Sequence, residues 1–190
     1  MVPTNKEIGI NNIYAIYLTK GGYCVNIRIL NKNDVNEFRE LRLKGLKTDA
    51  TAFGSTYERE NGFTLEKFKT RLEESDSKFV VGGFDDGSLV CIATFIRKDG
   101  EKDKHKSMLV GMYCSKEYRG TGIAKNVVEF ILEKARNLEG LKIINLMVVS
   151  ENLRAKAFYE SFGFKKYGTE PKSLFDESKY YDEDLMYLEF

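Results

Sequence analysis

The segment from Met108 to Ser150 limits the possible folds more than any other. It opens with an apolar run, "SMLVGMYCS" over residues 107–115, then turns through "YRGTGIA" with glycines at 120 and 122. Residues 120–138 follow, in which Ile123, Val127, Ile131 and Leu138 recur at helical spacing and Val128, Leu132 and Ala135 widen the stripe. The nearly continuous apolar run "KIINLMVVS" over residues 142–150 then reads as a strand buried on both faces. Strand, helix and strand joined by so long a crossover place two parallel strands in one sheet with right-handed connectivity.

The flanking sequence completes an α/β pattern. "CVNIRIL" from Cys24 alternates as a strand, and "NKND" caps a helix over residues 35–47 that carries Val35, Phe38, Leu41, Arg42 and Gly45 on neighbouring turns. Thr64 caps a second helix with Leu65, Phe68 and Leu72 on one side, and two β-runs around "DDG" read as a hairpin. "NLRAKAFYESF" is a short helix stopped by Gly163, and "FKKYG" and "EDLMYLEF" are two last strands with a polar loop, residues 169–182, between them. The order β-α-α-β-β-β-α-β-α-β-β, without repeat or linker, predicts one domain over 1–190: an N-terminal extension over 1–22 and a core over 23–190.

Thirty basic against twenty-nine acidic residues give no single-sign field, so neither nucleic acid nor a membrane surface is an expected partner. Cys24, Cys91 and Cys114 form no CxxC pair and His105 is the only histidine, which argues against a metal site. The cysteines sit in apolar runs, as small buried hydrophobes of a reducing compartment do. With no apolar stretch of about 20 residues and no secretory signal, the expected location is cytoplasmic.

The glycine turn lacks the GxxxxGK[ST] spacing of a P-loop, and Lys125 stands where a dinucleotide fingerprint needs its third glycine. Glycine used only for clearance accounts for it, and so does an anion. The first amides of the following helix have no partner within it and carry the positive end of its dipole, and Arg119 and Lys125 add charge beside them.

The pattern R-x-x-G-x-A at Arg119, Gly122 and Ala124, after a strand and opening an amphipathic helix, resembles motif A of the GNAT superfamily of N-acetyltransferases. "NLRAKAFYESFGF", residues 152–164, resembles the second signature of that family, N-x-x-A-x-x-F-Y-x-x-x-G-F. The resemblance covers residues 24–190, and the loop "TAFGSTYERE" is similar to a stretch seen in one group of its members. It implies an α/β fold with a central mixed sheet of about seven strands flanked by about four helices.

It also implies an acetyl-CoA-dependent N-acetyltransferase, with a primary amine of a small molecule or protein as acceptor and direct attack in a ternary complex. The pyrophosphate of acetyl-CoA (coenzyme A) falls on Arg119, Gly120, Thr121, Gly122, Ile123 and Ala124, with Lys125 in reach. The pantetheine arm falls on Met112, Tyr113 and Cys114, where the strand splays from its neighbour, and on Asn152, which is equally a helix N-cap. Tyr159 falls beside the thioester sulfur as proton donor, with a core aromatic as its other role; Phe158 reads as core. Many members carry a glutamate on the strand before motif A. This chain has none between Ser107 and Cys114, so Glu58, with Glu60, is the substitute base, unless both are solvated loop carboxylates.

The acceptor is expected between the loops over residues 50–60 and 169–182, whose acidic and aromatic rim suits a cation and is equally that of a solvated loop. Dimers are common in the family, and Ile13 to Leu18 would serve as an interface or as core. The missing glutamate leaves an alternative, a non-catalytic acyl-CoA-binding or sensor module of the same fold. A nucleotide-binding oxidoreductase is a third.

Overall fold

A computed structural model describes residues 25–190. Cys24 and the run Ile13 to Leu18 lie outside the described residues, as does the extension expected over 1–22. Seven strands form one sheet: β1 (Val25–Ile29), β2 (Lys78–Asp85), β3 (Ser88–Arg97), β4 (Lys106–Cys114), β5 (Ile143–Val149), β6 (Lys165–Phe175) and β7 (Tyr180–Glu189). Their order is β1-β2-β3-β4-β5-β7-β6, antiparallel throughout except for the parallel pair β4–β5. The helices are α1 (Val35–Thr48), α2 (Tyr57–Asn61), α3 (Leu65–Arg71), α4 (Ile123–Arg136) and α5 (Leu153–Glu160).

The sheet divides the core in two. On one face α4 lays Val127, Ile131 and Ala135 against Phe79, Val81 and Phe95, all buried. Phe79 and Phe95 are partners across β2 and β3 and stack with ring centroids 4.8 Å apart. On the other face Phe38, Leu41 and Leu46 of α1, with Phe68 of α3, cover Val80, Ile92 and Tyr113. The β2–β3 hairpin turns through Asp86 and Gly87, both at positive φ (44° and 79°), as the Asp-Gly signal requires.

Two segments differ from their sequence expectation. The loop over residues 50–60 contains α2, whose Thr56 cap accepts from the Arg59 amide and whose turn swings Glu60 into the interior. The polar loop expected over residues 169–182 is mostly strand, with β6 and β7 forming one long hairpin. β6 is the edge of the sheet and most of its residues are exposed, so burial imposed no apolar alternation on it. Its edge carries Pro171, Lys172 and a register break between Glu170 and Leu174, features that discourage further strand pairing.

Asp184 ties this hairpin to α5. Buried on β7, it accepts hydrogen bonds from Ser150 (2.7 Å) and Thr169 (3.1 Å) and pairs with Lys156 of α5 (2.6 Å) and Lys166 of β6 (2.7 Å). Burial by itself would raise its carboxyl, but these donors hold it well below the usual carboxylate range. Asp184→Ala strands the two lysines and is expected to lower the unfolding free energy by about 3 kcal/mol. Urea denaturation measures this, and an unchanged midpoint contradicts the role.

Candidate active site

The parallel strands β4 and β5 pair only at Lys106↔Ile143, Ser107↔Ile144 and Met108↔Asn145, and separate beyond. The cause lies in β4. Ile92 faces Tyr113 and Thr94 faces Val110, so Gly111 and Met112 together stand opposite Ala93. This is a β-bulge, with Gly111 at φ 63°, and it bends β4 away from β5. A cavity of about 1000 Å³ occupies the opening. It runs from the glycine turn, past Met112, Cys114, Val149 and Tyr159, to Arg42, Phe53 and Glu60 on the α1 side.

The turn has the form the sequence suggested. Gly120 and Gly122 hold φ of 80° and 99°, and a Cβ on either would meet nothing within 4 Å. The amides of Gly120, Gly122, Ala124 and Lys125 find no acceptor among the described residues, whereas the Thr121 amide bonds the Tyr118 carbonyl. Gly120, Gly122, Ala124 and Lys125 line the cavity; Thr121 is exposed and Ile123 is turned into the core. These open amides and the empty space over the glycines form a cradle that fits a diphosphate.

Arg119 is committed elsewhere. Its Nε donates to the Cys114 carbonyl (2.9 Å) and its Nη2 to Asp49 (2.8 Å), so the guanidinium braces the end of β4 against the end of α1 while still lining the cavity beside the glycine turn. Met112, Tyr113 and Cys114 all line the cavity. The Tyr113 ring packs on α1 at Gly45 and its hydroxyl lies 3.0 Å from that of Thr48.

Asn152 caps α5 by accepting from the Ala155 amide (3.1 Å) and also lines the cavity. Tyr159 is buried with its ring held edge-on by Phe158 and Phe164 at 5.3 and 5.9 Å, and its hydroxyl has no hydrogen-bond partner among the described residues. Burial pushes its phenol well above the ordinary range, with the Cys91 thiol adding to the shift. Phe158 packs on the core and lines the cavity too.

The carboxylates are placed differently from expectation. Glu58 is exposed and is not part of the cavity wall. Glu60 lines the cavity, but Arg42 grips both its oxygens (2.8 and 3.1 Å) and Arg71 adds a third contact at 2.7 Å. Burial would raise the Glu60 carboxyl; these arginines outweigh it and hold it at about 2. Glu60 is thus a fixed anion and a poor proton acceptor near neutrality. The signal missed in the sequence was Arg42 itself, a charge on the apolar face of α1. Glu183 is a further carboxylate of the cavity wall, and nothing in the last strand's sequence sets it apart from its acidic neighbours Asp182 and Asp184.

The architecture, a sheet opened between parallel strands beside a glycine-led helix, is that of an acyl-CoA-dependent acyltransferase. The family model for the Acetyltransferase (GNAT) family matches residues 44–164, so the chain belongs to the GNAT acetyltransferases. No curated protein matches. Among solved structures it is similar to an acetyltransferase of the GNAT family from Streptococcus pneumoniae, with 22% identity over 87% of this chain and 99% of that one and a TM-score of 0.79. A ribosomal-protein-alanine N-acetyltransferase from Brucella melitensis is 19% identical, covering 86% and 99% of the two chains with TM-score 0.71. A Salmonella typhimurium protein solved with its cofactor acetyl-CoA is 16% identical, covering 87% and 93%, also at 0.71. Among the described residues no helix is long and apolar enough to cross a membrane, and no cluster of metal-ligating side chains occurs.

The Glu60 cluster predicts a pH effect. Its lowered carboxyl stabilises the fold fully above the unfolded value of about 4.3, and that contribution is lost as pH falls towards 2. Wild-type stability should therefore drop more steeply between those limits than that of Glu60→Gln. Parallel denaturation curves for the two would contradict the assignment.

Proposed function

We propose that the chain transfers the acetyl group of acetyl-CoA to a primary amine by direct attack within a ternary complex. The observation that carries this is the continuous cavity that joins the open amides at the start of α4 to the buried phenol of Tyr159 through the gap between β4 and β5.

Each part has a task. The amides of Gly120, Gly122, Ala124 and Lys125 receive the diphosphate, with the Lys125 ammonium beside it. The unpaired edge of β4 beyond Met108 and the Asn152 side chain take the amide groups of the pantetheine arm. Main-chain donors near Cys114 stabilise the oxyanion that forms on attack. Tyr159, held protonated by its burial, gives its proton to the departing thiolate. Arg119 acts indirectly, fixing the end of β4 through the Cys114 carbonyl. The acceptor enters on the α1 side, where Gly54 approaches Leu174 of β6, with a Cβ on the glycine falling 3.7 Å from that side chain.

Coenzyme A should raise the melting temperature where NAD does not. Thiol release from acetyl-CoA should then be measured against phenethylamine, spermidine, lysine and an alanine-initiated peptide. Tyr159→Phe is expected to lower kcat about 100-fold on the best of these with little change in KM. Unchanged kcat would remove the acid role from Tyr159. Tight binding of coenzyme A with no thiol release from any amine would favour a sensor module of the same fold.

A further inference from the structure

The cavity wall contains three carboxylates among the described residues: Asp49, Glu60 and Glu183. Asp49 is paired with Arg119 and Glu60 with two arginines. Glu183 has no ion pair among the described residues; it accepts a single hydrogen bond, from the Ser173 hydroxyl to Oε2 at 2.6 Å. Its other oxygen is uncommitted.

Its location is set by the sheet. Glu183 lies opposite Val149 on β5, and Val149 also lines the cavity. Successive side chains of a strand point to opposite faces. The next residue, Asp184, is buried against Lys156 of α5, so Glu183 faces the α1 side, where the acceptor enters.

The hairpin around it is built irregularly. Between the pairs Glu170↔Glu183 and Leu174↔Tyr181, the β6 residues Pro171, Lys172 and Ser173 stand against the single residue Asp182. Lys172 takes φ 52°, uncommon for a residue with a side chain, and its amide is fixed by the Asp182 carboxylate at 2.8 Å. The bulge is what carries Ser173 onto Glu183 and Leu174 towards Gly54. Local strain of this kind persists where the surrounding structure enforces it, often at working sites.

Resting on the transferase function proposed above, we infer that Glu183 is the general base of the reaction and the docking point of the acceptor ammonium, and that Ser173 positions its carboxylate. Glu183 takes one proton from the ammonium, directly or through one water. The freed nitrogen lone pair forms the C–N bond at the thioester carbonyl. The C–S bond breaks with its electron pair going to sulfur, which takes the Tyr159 proton. The second nitrogen proton, shed as the amide forms, restores the phenol, and the proton on Glu183 leaves to solvent. Glu170 stands across the ladder from Glu183, with Asp182 beside it and Lys172 in the bulge, and Arg154 of α5 lines the same cavity. On the facing wall stand the Asp49–Arg119 and Glu60–Arg42–Arg71 ion pairs.

The test uses the full chain, acetyl-CoA and the panel amine that wild type turns over fastest. Glu183→Gln should lower kcat/KM at about pH 7 by about 100-fold or more. That deficit should shrink as the pH approaches about 10, where an amine of unperturbed pKa about 10.4 supplies its own free base. Ser173→Ala should give a smaller loss in the same direction. The thermal shift with coenzyme A should be unchanged in both variants, which also reports that they fold. A Glu183→Gln rate within about twofold of wild type, or a deficit constant across that pH range, overturns the base role. A wild type that releases no thiol with any amine overturns the transferase function itself, and the base role with it.

Discussion

The site depends on strand separation. Two parallel strands that begin in register are forced apart after three residue pairs by a bulge on one of them. Main-chain N–H and C=O groups that would have bonded across the ladder are left facing a cavity. Unpaired backbone groups are costly when buried, and a fold keeps them where water or a ligand completes them. A pantetheine arm, with its two amides, is chemically matched to such an edge. The glycine turn at the end of β4 supplies a second set of open donors in line with the first, so a single extended ligand would engage both.

Charge in the cavity is arranged so that most of it is already spent. Arg119 and Asp49 neutralise each other while bracing the end of β4, and Arg42 and Arg71 immobilise Glu60 of α2. These pairs give the α1 side a rigid wall, with Phe53 lying against the Arg42 guanidinium at 4.7 Å. Among the described residues, the buried Tyr159 phenol stands on one side of the gap and the Glu183 carboxylate, outside any ion pair, on the other. Group transfer to an amine needs one donor and one acceptor of protons.

The sequence made the central crossover legible because burial wrote it plainly. Val127, Ile131 and Ala135 sit on one helical stripe, and residues 142–150 form a nearly continuous apolar run. Gly120 and Gly122 were readable as a turn because only glycine holds their φ easily. The acceptor side was not readable for the opposite reason. β6 is an exposed edge strand with no alternation to betray it, α2 is a five-residue helix inside a polar stretch, and Glu60 differs from Glu58 only in the direction the chain turns. Arg119 shows a further limit: its residue type and place fitted a phosphate ligand, and only the positions of Asp49 and the Cys114 carbonyl reveal its other use. The carboxylate left over, Glu183, could be found only by knowing which of its fellows were already paired.

If the proposal holds, the open edge of β4 and the first amides of α4 act as one continuous binding surface for coenzyme A. Amide hydrogen exchange with and without coenzyme A tests it directly. New protection is expected in peptides covering residues 109–114 and 120–125 together, with β1 and β2 unaffected. Protection confined to other segments, or binding that leaves both of these exchanging as before, would contradict it.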